Sequence, residues 1–266
     1  MISQPNRGKP AAIQAGIAEA RGDLIVLLDG DTIFERRTIH RLVQPFADPQ
    51  VGAVAGNAKV GNRRGVLGRW QHIEYVIGFN LDRRMYDLLG CIPTIPGAVG
   101  AFRRRALLEV GGFSGDTLAE DTDVTMTVIR AGWQVVYEEN ARAWTEAPAT
   151  LGELWRQRYR WSYGTLQAVW KHRAALVGRG AAGRLGRRGL VYVALFHVLL
   201  PLLGPVMDIF LIYGLVFLET GPVALVWLGF LGVQMVIGVI AFRLDREPMG
   251  PLLWLPSQQV LYRQLM

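Results

Sequence analysis

Two long apolar segments near the C-terminal end restrict the fold of this chain more than any other feature. Residues 190–218 are apolar except for His197 and Asp208, and residues 223–242 are apolar except for Gln234. Each segment reaches the roughly 20 residues that a helix needs to cross the core of a bilayer. Only four residues, Glu-Thr-Gly-Pro, separate them, which is typical of a tight turn between antiparallel helices. The pattern therefore predicts two transmembrane helices.

Positive charge flanks both ends of this predicted hairpin. Four arginines precede the first segment and two follow the second: Arg179, Arg184, Arg187, Arg188, Arg243 and Arg246. Such flanks predict that both ends lie on the cytoplasmic side. No platform of alternating basic and aromatic residues occurs elsewhere, so the net charge of +7 fits attraction to anionic lipid better than binding to nucleic acid. We therefore expect a multi-pass protein of the inner (plasma) membrane, with the lipid bilayer as a partner and no nucleic acid.

Asp208 is an acidic residue within the first apolar segment, and two interpretations stay open. An intramembrane carboxylate is often functional. Alternatively, Pro201, Gly204 and Pro205 interrupt the helix just before it, so that Asp208 lies near the outer mouth or in a short re-entrant stretch.

The first 150 residues alternate between helical and strand patterns. Helices are predicted at 11–21, 38–46, 70–89, 103–110 and 120–131, and strands at 24–28, 51–55, 97–102 and 133–137. This alternation predicts a mixed α/β domain with a mostly parallel sheet. The strand at 24–28 is a continuous run of Leu, Ile and Val, which predicts burial on both faces.

Two aspartates follow this strand on a short turn, Asp29-Gly30-Asp31. Gly30 allows a tight turn, so both carboxylates can converge at the carboxyl end of the strand, where open α/β sheets place their ligands. Hard oxygen ligands at that point suit Mg²⁺ or Mn²⁺. An ordinary polar turn after a core strand explains the same residues, and the turn alone does not decide between the two interpretations.

A group of acidic residues opens the helix predicted at 120–131. Glu120, Asp121 and Asp123 are stabilised there by the helix dipole, by ~0.3 to 1 kcal/mol, without any further purpose. A carboxylate beside a diphosphate could instead serve as a general base. Similarly, the small residues of 97–102 indicate either tight packing or close approach of a ligand to the backbone.

The segment 151–189 contains tryptophans among basic residues just before the first apolar segment. This composition is typical of an amphipathic helix lying at the membrane interface. However, Gln157, Arg160 and Trp161 supply an amide, a guanidinium and an indole within five positions. An indole can stack on a sugar, while Arg and Gln can hold a phosphate or a hydroxyl.

Three motifs in this order carry a family resemblance. Asp29-Gly30-Asp31, Ala119-Glu120-Asp121 and Gln157-Arg158-Tyr159-Arg160-Trp161, followed by membrane segments, resemble the motif set of processive family 2 glycosyltransferases. That family includes cellulose, chitin, hyaluronan and poly-N-acetylglucosamine synthases. Residues 6–12 and Gly111-Gly112-Phe113 are most similar to poly-N-acetylglucosamine synthases and nodulation chitin-oligosaccharide synthases.

The resemblance implies a GT-A-type, Rossmann-like domain and a role for each motif residue. Asp31, with Asp29, would hold Mg²⁺ or Mn²⁺ and the nucleotide diphosphate, which Lys9 would also contact. Asp121 would be the catalytic base, with Glu120 next to it at the substrate. Gly97 and Ala98 would line the acceptor, Gln157 and Arg160 would steady the diphosphate, and Trp161 would stack on the acceptor sugar.

The resemblance implies inverting transfer of a sugar from a UDP-sugar to a growing β-linked polysaccharide or oligosaccharide. The sugar it implies is N-acetylglucosamine. An accessory synthase subunit is among the partners that it implies. The implied organisation is a GT-A domain at 1–150, an interfacial segment with the QxxRW motif at 151–189, transmembrane helices at 190–218 and 223–242, and a cytoplasmic tail or further membrane segment at 243–266.

Two features depart from the family pattern. Ala119 stands where many relatives have Thr, and the usual opening strands of the family pattern are absent from the sequence. We therefore expect a partial GT-A domain that lacks its first strands, in a fragment of a longer synthase. Two alternatives remain at this point: a non-processive transferase acting on a lipid phosphate, and an inactive fragment.

Overall fold

The computed structural model describes residues 2–218 and 220–265. A five-stranded sheet lies at the centre of the N-terminal domain. Its strands are β1 (Leu24–Leu27), β2 (Ile33–Phe34), β3 (Val51–Val60), β4 (Gly100–Arg103) and β5 (Gln134–Thr145). The helices of this part are α1 (Lys9–Glu19), α2 (Thr38–Val43), α3 (Gly65–Glu74), α4 (Asp82–Leu88), α5 (Arg104–Val110) and α6 (Glu120–Arg130). The alternating pattern therefore predicted the α/β class correctly.

The strand order is β1-β4-β3-β5-β2. Only β3 and β5 pair in parallel, whereas β1–β4, β3–β4 and β2–β5 are antiparallel. The expectation of a mostly parallel sheet is therefore wrong. The physical reason is that β4 inserts between β1 and β3 and runs against both, so no crossover connection joins neighbouring parallel strands there.

The expected burial of the first strand on both faces is also wrong. β1 lies at an edge of the sheet, and its four residues are only half-buried. The strand that is buried throughout is β3, whose ten residues are all shielded from solvent. Both strands are apolar runs in the sequence, which does not reveal which of them is central.

Two clusters of apolar side chains pack against opposite faces of the sheet. Ala53 and Ala55 of β3 belong to the larger cluster, which includes side chains of α1, α5 and α6. Val54 and Ala58 face the other way and pack with Leu42 of α2. This alternation of side chains along β3 fixes its register and the positions of the strand ends.

The predicted helix at 70–89 forms as part of a longer continuous helix. α3 and α4 are joined through a π-helical stretch, Tyr75–Leu81. The next long helix, α7 (Leu151–Lys171), starts with a capping box: the Thr150 hydroxyl accepts from the Glu153 N–H at 3.3 Å, and the Glu153 carboxylate accepts from the Thr150 N–H at 3.2 Å. Reciprocal capping satisfies backbone donors that a helix start otherwise leaves unpaired.

Both apolar segments are helical. α8 (Gly180–Arg184) opens a continuous helix that runs to the end of α9 (Leu200–Phe217). The second apolar segment forms α10 (Thr220–Leu244). Glu219 of the predicted turn lies outside the described residues. By length and composition both helices can cross a membrane. The expected interruption before Asp208 is wrong, because the helix runs through Pro205. A single proline removes one hydrogen bond, and the neighbouring turns keep theirs.

The residues after α10 fold back onto the rest of the chain. They form a 3₁₀ helix, Gly250–Trp254, then α11 (Leu255–Val260) and a second 3₁₀ helix, Tyr262–Leu265. Asp208 of α9 pairs with Arg263 and Gln264 of this last turn. Asp208 therefore has polar partners from the chain itself.

A buried ionic cluster fixes the end of α10 to the central strand. The Lys59 ammonium of β3 lies 3.0 Å from an Asp245 carboxylate oxygen and 2.7 Å from one of Glu247. Asn57 donates to Asp245 at 2.8 Å, and the Arg63 guanidinium makes two hydrogen bonds to Glu247. The apolar helix and the sheet domain are thus connected by charged groups that satisfy one another.

Candidate active site

A cavity of about 200 Å³ lies at the carboxyl end of β1. Its polar lining consists of Lys9, Asp29, Glu120 and Asp121, together with the backbone of Gly97. Its apolar wall includes Leu27, Leu28, Ile95, Phe102 and Phe113. The aspartate turn, the acidic motif and Lys9 therefore meet around one space.

Lys9 holds the two acidic motifs together. Its ammonium lies 2.8 Å from an Asp29 carboxylate oxygen and 3.4 Å from one of Glu120. Burial lowers the pKa of Lys9, but the hydrogen bond to Asp29 and the surrounding carboxylates outweigh burial and raise it. Lys9 is therefore a cation at neutral pH, placed between the ends of β1 and α6.

Asp121 is a carboxylate of this cavity with a strongly raised pKa. Burial and the neighbouring charge of Glu120 raise its pKa to about 6, although the hydrogen bond from the Thr122 N–H, at 2.8 Å, opposes the shift. A pKa about one unit below neutral leaves roughly nine in ten of such groups ionised at pH 7. Asp121 is therefore a carboxylate with raised basicity, as a general base requires.

Asp123, the third acidic residue of the motif, has a structural role. Its carboxylate accepts from Ser114, Lys171 and His172 at 2.7, 2.8 and 2.8 Å. Burial opposes ionisation, but these donors together lower the pKa of Asp123 to about 2. The side chain is 2% exposed and fixes α6 to the end of α7.

The turn after β1 differs in part from the expectation. The Thr32 N–H donates to the Asp29 carbonyl at 3.1 Å, which closes a turn, but Gly30 does not have the positive φ that would require glycine. Asp29 faces Lys9, whereas an Asp31 carboxylate oxygen lies 3.4 Å from the Thr145 hydroxyl at the end of β5. The two carboxylates are thus held by different neighbours, and their convergence stays a prediction.

The donor set at this turn fits a divalent cation that keeps other oxygen ligands. No group of three or more His, Cys, Asp or Glu side chains suited to a metal occurs in the part of the chain that the structure describes. Asp29 and Asp31 supply hard carboxylate oxygens, and Mg²⁺ is typically bound by one or two carboxylates plus phosphates and water. The residues present therefore fit such an ion bound together with a diphosphate.

The QxxRW motif lies on α7, which passes directly over the start of α6. A Cβ at Gly164 would lie 2.5 Å from the Ala119 nitrogen, so only glycine allows this approach. The Leu118 N–H also donates to the Gln167 side chain at 2.9 Å. Ala119 is 6% exposed under this contact, and the helix that carries the third motif is thereby fixed beside Asp121.

The three motif residues named from sequence have different environments. Arg160 is exposed, and Trp161 is half-buried with its ring edge-on to Phe79 at 5.7 Å. The side-chain amide oxygen of Gln157, Oε1, is buried and has no hydrogen-bond partner among the described residues. None of these three residues lines the cavity. Ala98 is buried and does not line it either, whereas Gly97 lines it next to Lys9 and Asp29.

Tyr75 connects this region to the aspartate turn. Burial raises the pKa of Tyr75 to about 12, with Arg158 opposing the shift and Glu74 and Asp31 adding to it. Its ring meets Phe79 edge-on at 4.9 Å, and Phe79 in turn meets Trp161. Trp161 therefore belongs to one aromatic group with Tyr75 and Phe79, and the charge of Asp31 acts on the same tyrosine.

Sequence reasoning missed Arg158, the middle arginine of the motif. Its guanidinium is 6% exposed, pairs with Glu74 and donates to the Tyr262 hydroxyl at 3.2 Å. Helical spacing carried the signal, because the buried residues of α7 are Leu154, Arg158, Gly164 and Ala168. An arginine on the buried stripe of a helix indicates an internal ion pair.

Gly97 provides a direct test of the cavity. A Cβ there would lie 2.6 Å from the Lys9 ammonium, so we expect Gly97→Ala to displace Lys9 from Asp29. Binding of the nucleotide diphosphate that the family resemblance implies should then weaken about tenfold. Titration calorimetry of the purified variant measures this. Gly115→Ala is the matched control, because Gly115 does not line the cavity and a Cβ there meets nothing within 4 Å. Equal affinities in the two variants would contradict the placement of Lys9.

Comparisons with known proteins agree with this geometry. The family model described as glycosyl transferase family group 2 matches residues 24–240. A poly-beta-1,6-N-acetyl-D-glucosamine synthase of Staphylococcus aureus (strain COL) is 37% identical over 162 residues, which are 60% of this chain and 39% of that protein. The corresponding synthase of Staphylococcus epidermidis is 35% identical over 160 residues, with the same shares. The match thus spans about two fifths of the length of these relatives.

A solved structure shares the fold. A mannosyltransferase from Pyrobaculum calidifontis, in complex with GDP-Man and Mn2+, superposes with a TM-score of 0.62 and 20% sequence identity. The alignment covers 97% of this chain and 68% of the mannosyltransferase. The mixed sheet with its helices is therefore a GT-A-like domain.

Proposed function

Because the chain belongs to glycosyl transferase family group 2, we propose that it carries out inverting transfer of N-acetylglucosamine from UDP-N-acetylglucosamine to a growing β-linked polysaccharide. The choice of sugar follows the relatives, which are named poly-beta-1,6-N-acetyl-D-glucosamine synthases. The observation that carries the proposal is the cavity in which Asp121 lies beside the Lys9–Asp29 pair.

Proton removal is the role of Asp121. Its carboxylate accepts the proton of an acceptor hydroxyl, and the hydroxyl oxygen forms a bond to the anomeric carbon of the donor sugar. The bond from that carbon to the diphosphate oxygen breaks from the opposite face, and its electron pair leaves with the diphosphate. Because the base has a pKa of about 6, it is mostly ionised at neutral pH and can accept this proton.

Charge on the leaving diphosphate is balanced by cations. Lys9 lies in the cavity with an ammonium that reaches both Asp29 and Glu120, and we assign it to the diphosphate. Arg160 is exposed on α7, and we assign its guanidinium to the same group. Mg²⁺ or Mn²⁺, held by Asp31 and Asp29, would supply further positive charge when bound.

The acceptor is assigned to the region between Tyr75 and α7. The side-chain amide oxygen of Gln157 is buried and has no hydrogen-bond partner among the described residues, and we assign a sugar hydroxyl of the acceptor as its partner. Trp161 offers an indole face on the same helix for stacking on a sugar. Gly97 and Ala98 would bring backbone close to the sugars where the two substrates meet.

Membrane insertion is part of the same proposal. Both long apolar helices are largely unburied within the chain, which fits contact with lipid. We propose a multi-pass protein of the inner membrane with the sheet domain in the cytoplasm, where nucleotide sugars are made, and an accessory synthase subunit as partner. The arginines at both ends of the helical pair agree with this orientation.

The test is incorporation of labelled sugar by membranes that contain the chain. With UDP-N-acetylglucosamine and Mn²⁺ we expect long polymer on a gel, and a chelator should abolish its formation. A product with a single sugar on lipid phosphate would show a non-processive transferase instead. Failure to incorporate sugar from any UDP-sugar, with the chain inserted and folded, would contradict the proposed activity.

A further inference from the structure

A second cavity, of about 420 Å³, lies at the end of α10, away from the candidate active site. Its lining comes from the loop before α3, from α3 itself and from the residues that follow α10: Arg63, Arg69, His72, Pro248, Gly250, Pro251 and Trp254. None of these residues is used in the proposed transfer reaction. The cavity combines cationic side chains with a tryptophan and two prolines.

Arg69 is the cation that this cavity leaves available. Its guanidinium stacks over the Trp254 ring at 4.7 Å, and it forms no ion pair with any carboxylate of the described residues. The side chain is exposed, so all of its N–H donors can reach a ligand. A planar guanidinium held against an indole is oriented to make two hydrogen bonds to a phosphate.

On the opposite wall, the charged side chains are already paired with one another. Arg63 donates to Glu247 at 2.7 and 3.1 Å, and its guanidinium stacks over Trp144 at 4.7 Å. The His72 ring lies 3.2 Å from the same carboxylate. Glu247 is therefore fully engaged and does not neutralise Arg69.

The surroundings of the cavity are strongly basic. Residues 61–72 contain three arginines and no carboxylate, and Arg243 and Arg246 are exposed at the end of α10. The only carboxylates of residues 243–254 are Asp245 and Glu247, both of which are buried and paired. The net positive charge favours an anionic ligand.

The cavity lies just after the end of α10, the apolar helix that we propose crosses the membrane. The segment after α10 is amphipathic: Leu252 and Leu255 are buried against the chain, whereas Leu253, Val260 and Leu261 are 84%, 47% and 58% exposed. An exposed apolar face next to a transmembrane helix end is typical of a segment at the level of the lipid headgroups. Tryptophan side chains, such as that of Trp254, are also enriched at the level of the lipid headgroups.

We propose that this cavity binds the headgroup of an anionic phospholipid. Arg69 binds the phosphate, and Trp254 with the two prolines contacts the glycerol backbone. The proposal rests on the membrane insertion argued above but not on sugar transfer, and it concerns none of the residues assigned to that reaction.

The test is lipid binding to the purified full chain in neutral detergent, measured by native mass spectrometry. We expect dioleoyl phosphatidylglycerol to bind more tightly than dioleoyl phosphatidylcholine, and Arg69→Gln to weaken phosphatidylglycerol binding about fivefold. Arg69→Lys keeps the charge but loses the planar guanidinium, so its affinity for phosphatidylglycerol should lie between those of the wild type and Arg69→Gln. Arg105→Gln removes an equal charge from exposed α5 and should change nothing.

Three results would overturn the proposal. They are equal affinity for the two lipids, unchanged phosphatidylglycerol binding in a folded Arg69→Gln variant, and binding of glycerol 1-phosphate as tight as that of the lipid. The last would assign the cavity to a soluble phosphate. Because no sugar enters the assay, a failure of the proposed transferase activity would not affect the outcome.

Discussion

Replacing Asp121 by Asn should lower the rate of sugar transfer by about 100- to 10,000-fold while leaving nucleotide binding nearly unchanged. Asn has the size and shape of Asp but cannot accept the proton of the acceptor hydroxyl. Lys9 and Asp29, which we assign to the diphosphate, keep their contact in this variant because their ion pair does not involve Asp121. The measurement compares kcat for polymer formation with the Kd for UDP by calorimetry.

Asp116→Asn is the control for this variant. Asp116 is exposed on the loop before α6 and pairs with Lys171 at 2.8 Å. Surface pairs of this kind contribute about 0 to 1 kcal/mol, so activity should stay near that of the wild type. Equal transfer rates in the Asp121→Asn variant and the wild type would exclude Asp121 as the base.

The dependence of the rate on pH supplies a second readout for Asp121. Its raised pKa of about 6 means that the active, ionised form is lost as pH falls through 6. The rate should therefore rise between pH 5 and pH 7 and level off above. The small residual rate of Asp121→Asn should lack this step, whereas Asp116→Asn should retain it.

Part of the predicted site lines the cavity, and these residues belong to local motifs. They are Lys9, Asp29, Gly97, Glu120 and Asp121, whereas Asp31, Ala98, Gln157, Arg160 and Trp161 do not line it. Lys9, Asp29 and Asp121 lie at element ends, where a short run of residues specifies both the turn and the side chain. The structure brings these residues together from distant parts of the chain. The assignment of Asp123 to the same acidic group was undecided from sequence, since its partners Lys171 and His172 are about 50 positions away.

Long-range pairing explains what the sequence did not predict. The position of β1 at the sheet edge depends on β4 inserting between β1 and β3, and no local pattern encodes strand order. Likewise, Lys59 of β3 is paired with Asp245 and Glu247, which lie 186 and 188 positions further along the chain. A buried charge can be recognised from sequence only when its partner is also known.

Arg158→Met should destabilise the folded chain by about 3 to 5 kcal/mol, the cost of leaving one member of a buried ion pair without its partner. Glu74 would keep only the hydrogen bond from the Tyr262 hydroxyl, at 2.7 Å. For a domain of this size the loss corresponds to a fall of the unfolding midpoint by roughly 10 °C. Arg160→Met, at an exposed position of the same motif, should leave the midpoint unchanged and lower transfer instead.

The double variant Arg158→Met/Glu74→Gln separates lost charge pairing from lost packing. Gln keeps an oxygen that can accept from Tyr262 but carries no charge, so most of the stability should return in the double variant. Burial already raises the pKa of Glu74, with Arg158 opposing it, so without the arginine the carboxyl will protonate more readily. The destabilisation of Arg158→Met should therefore be smaller at pH 5 than at pH 8. A loss that is equal at both pH values and undiminished in the double variant would assign Arg158 to packing alone.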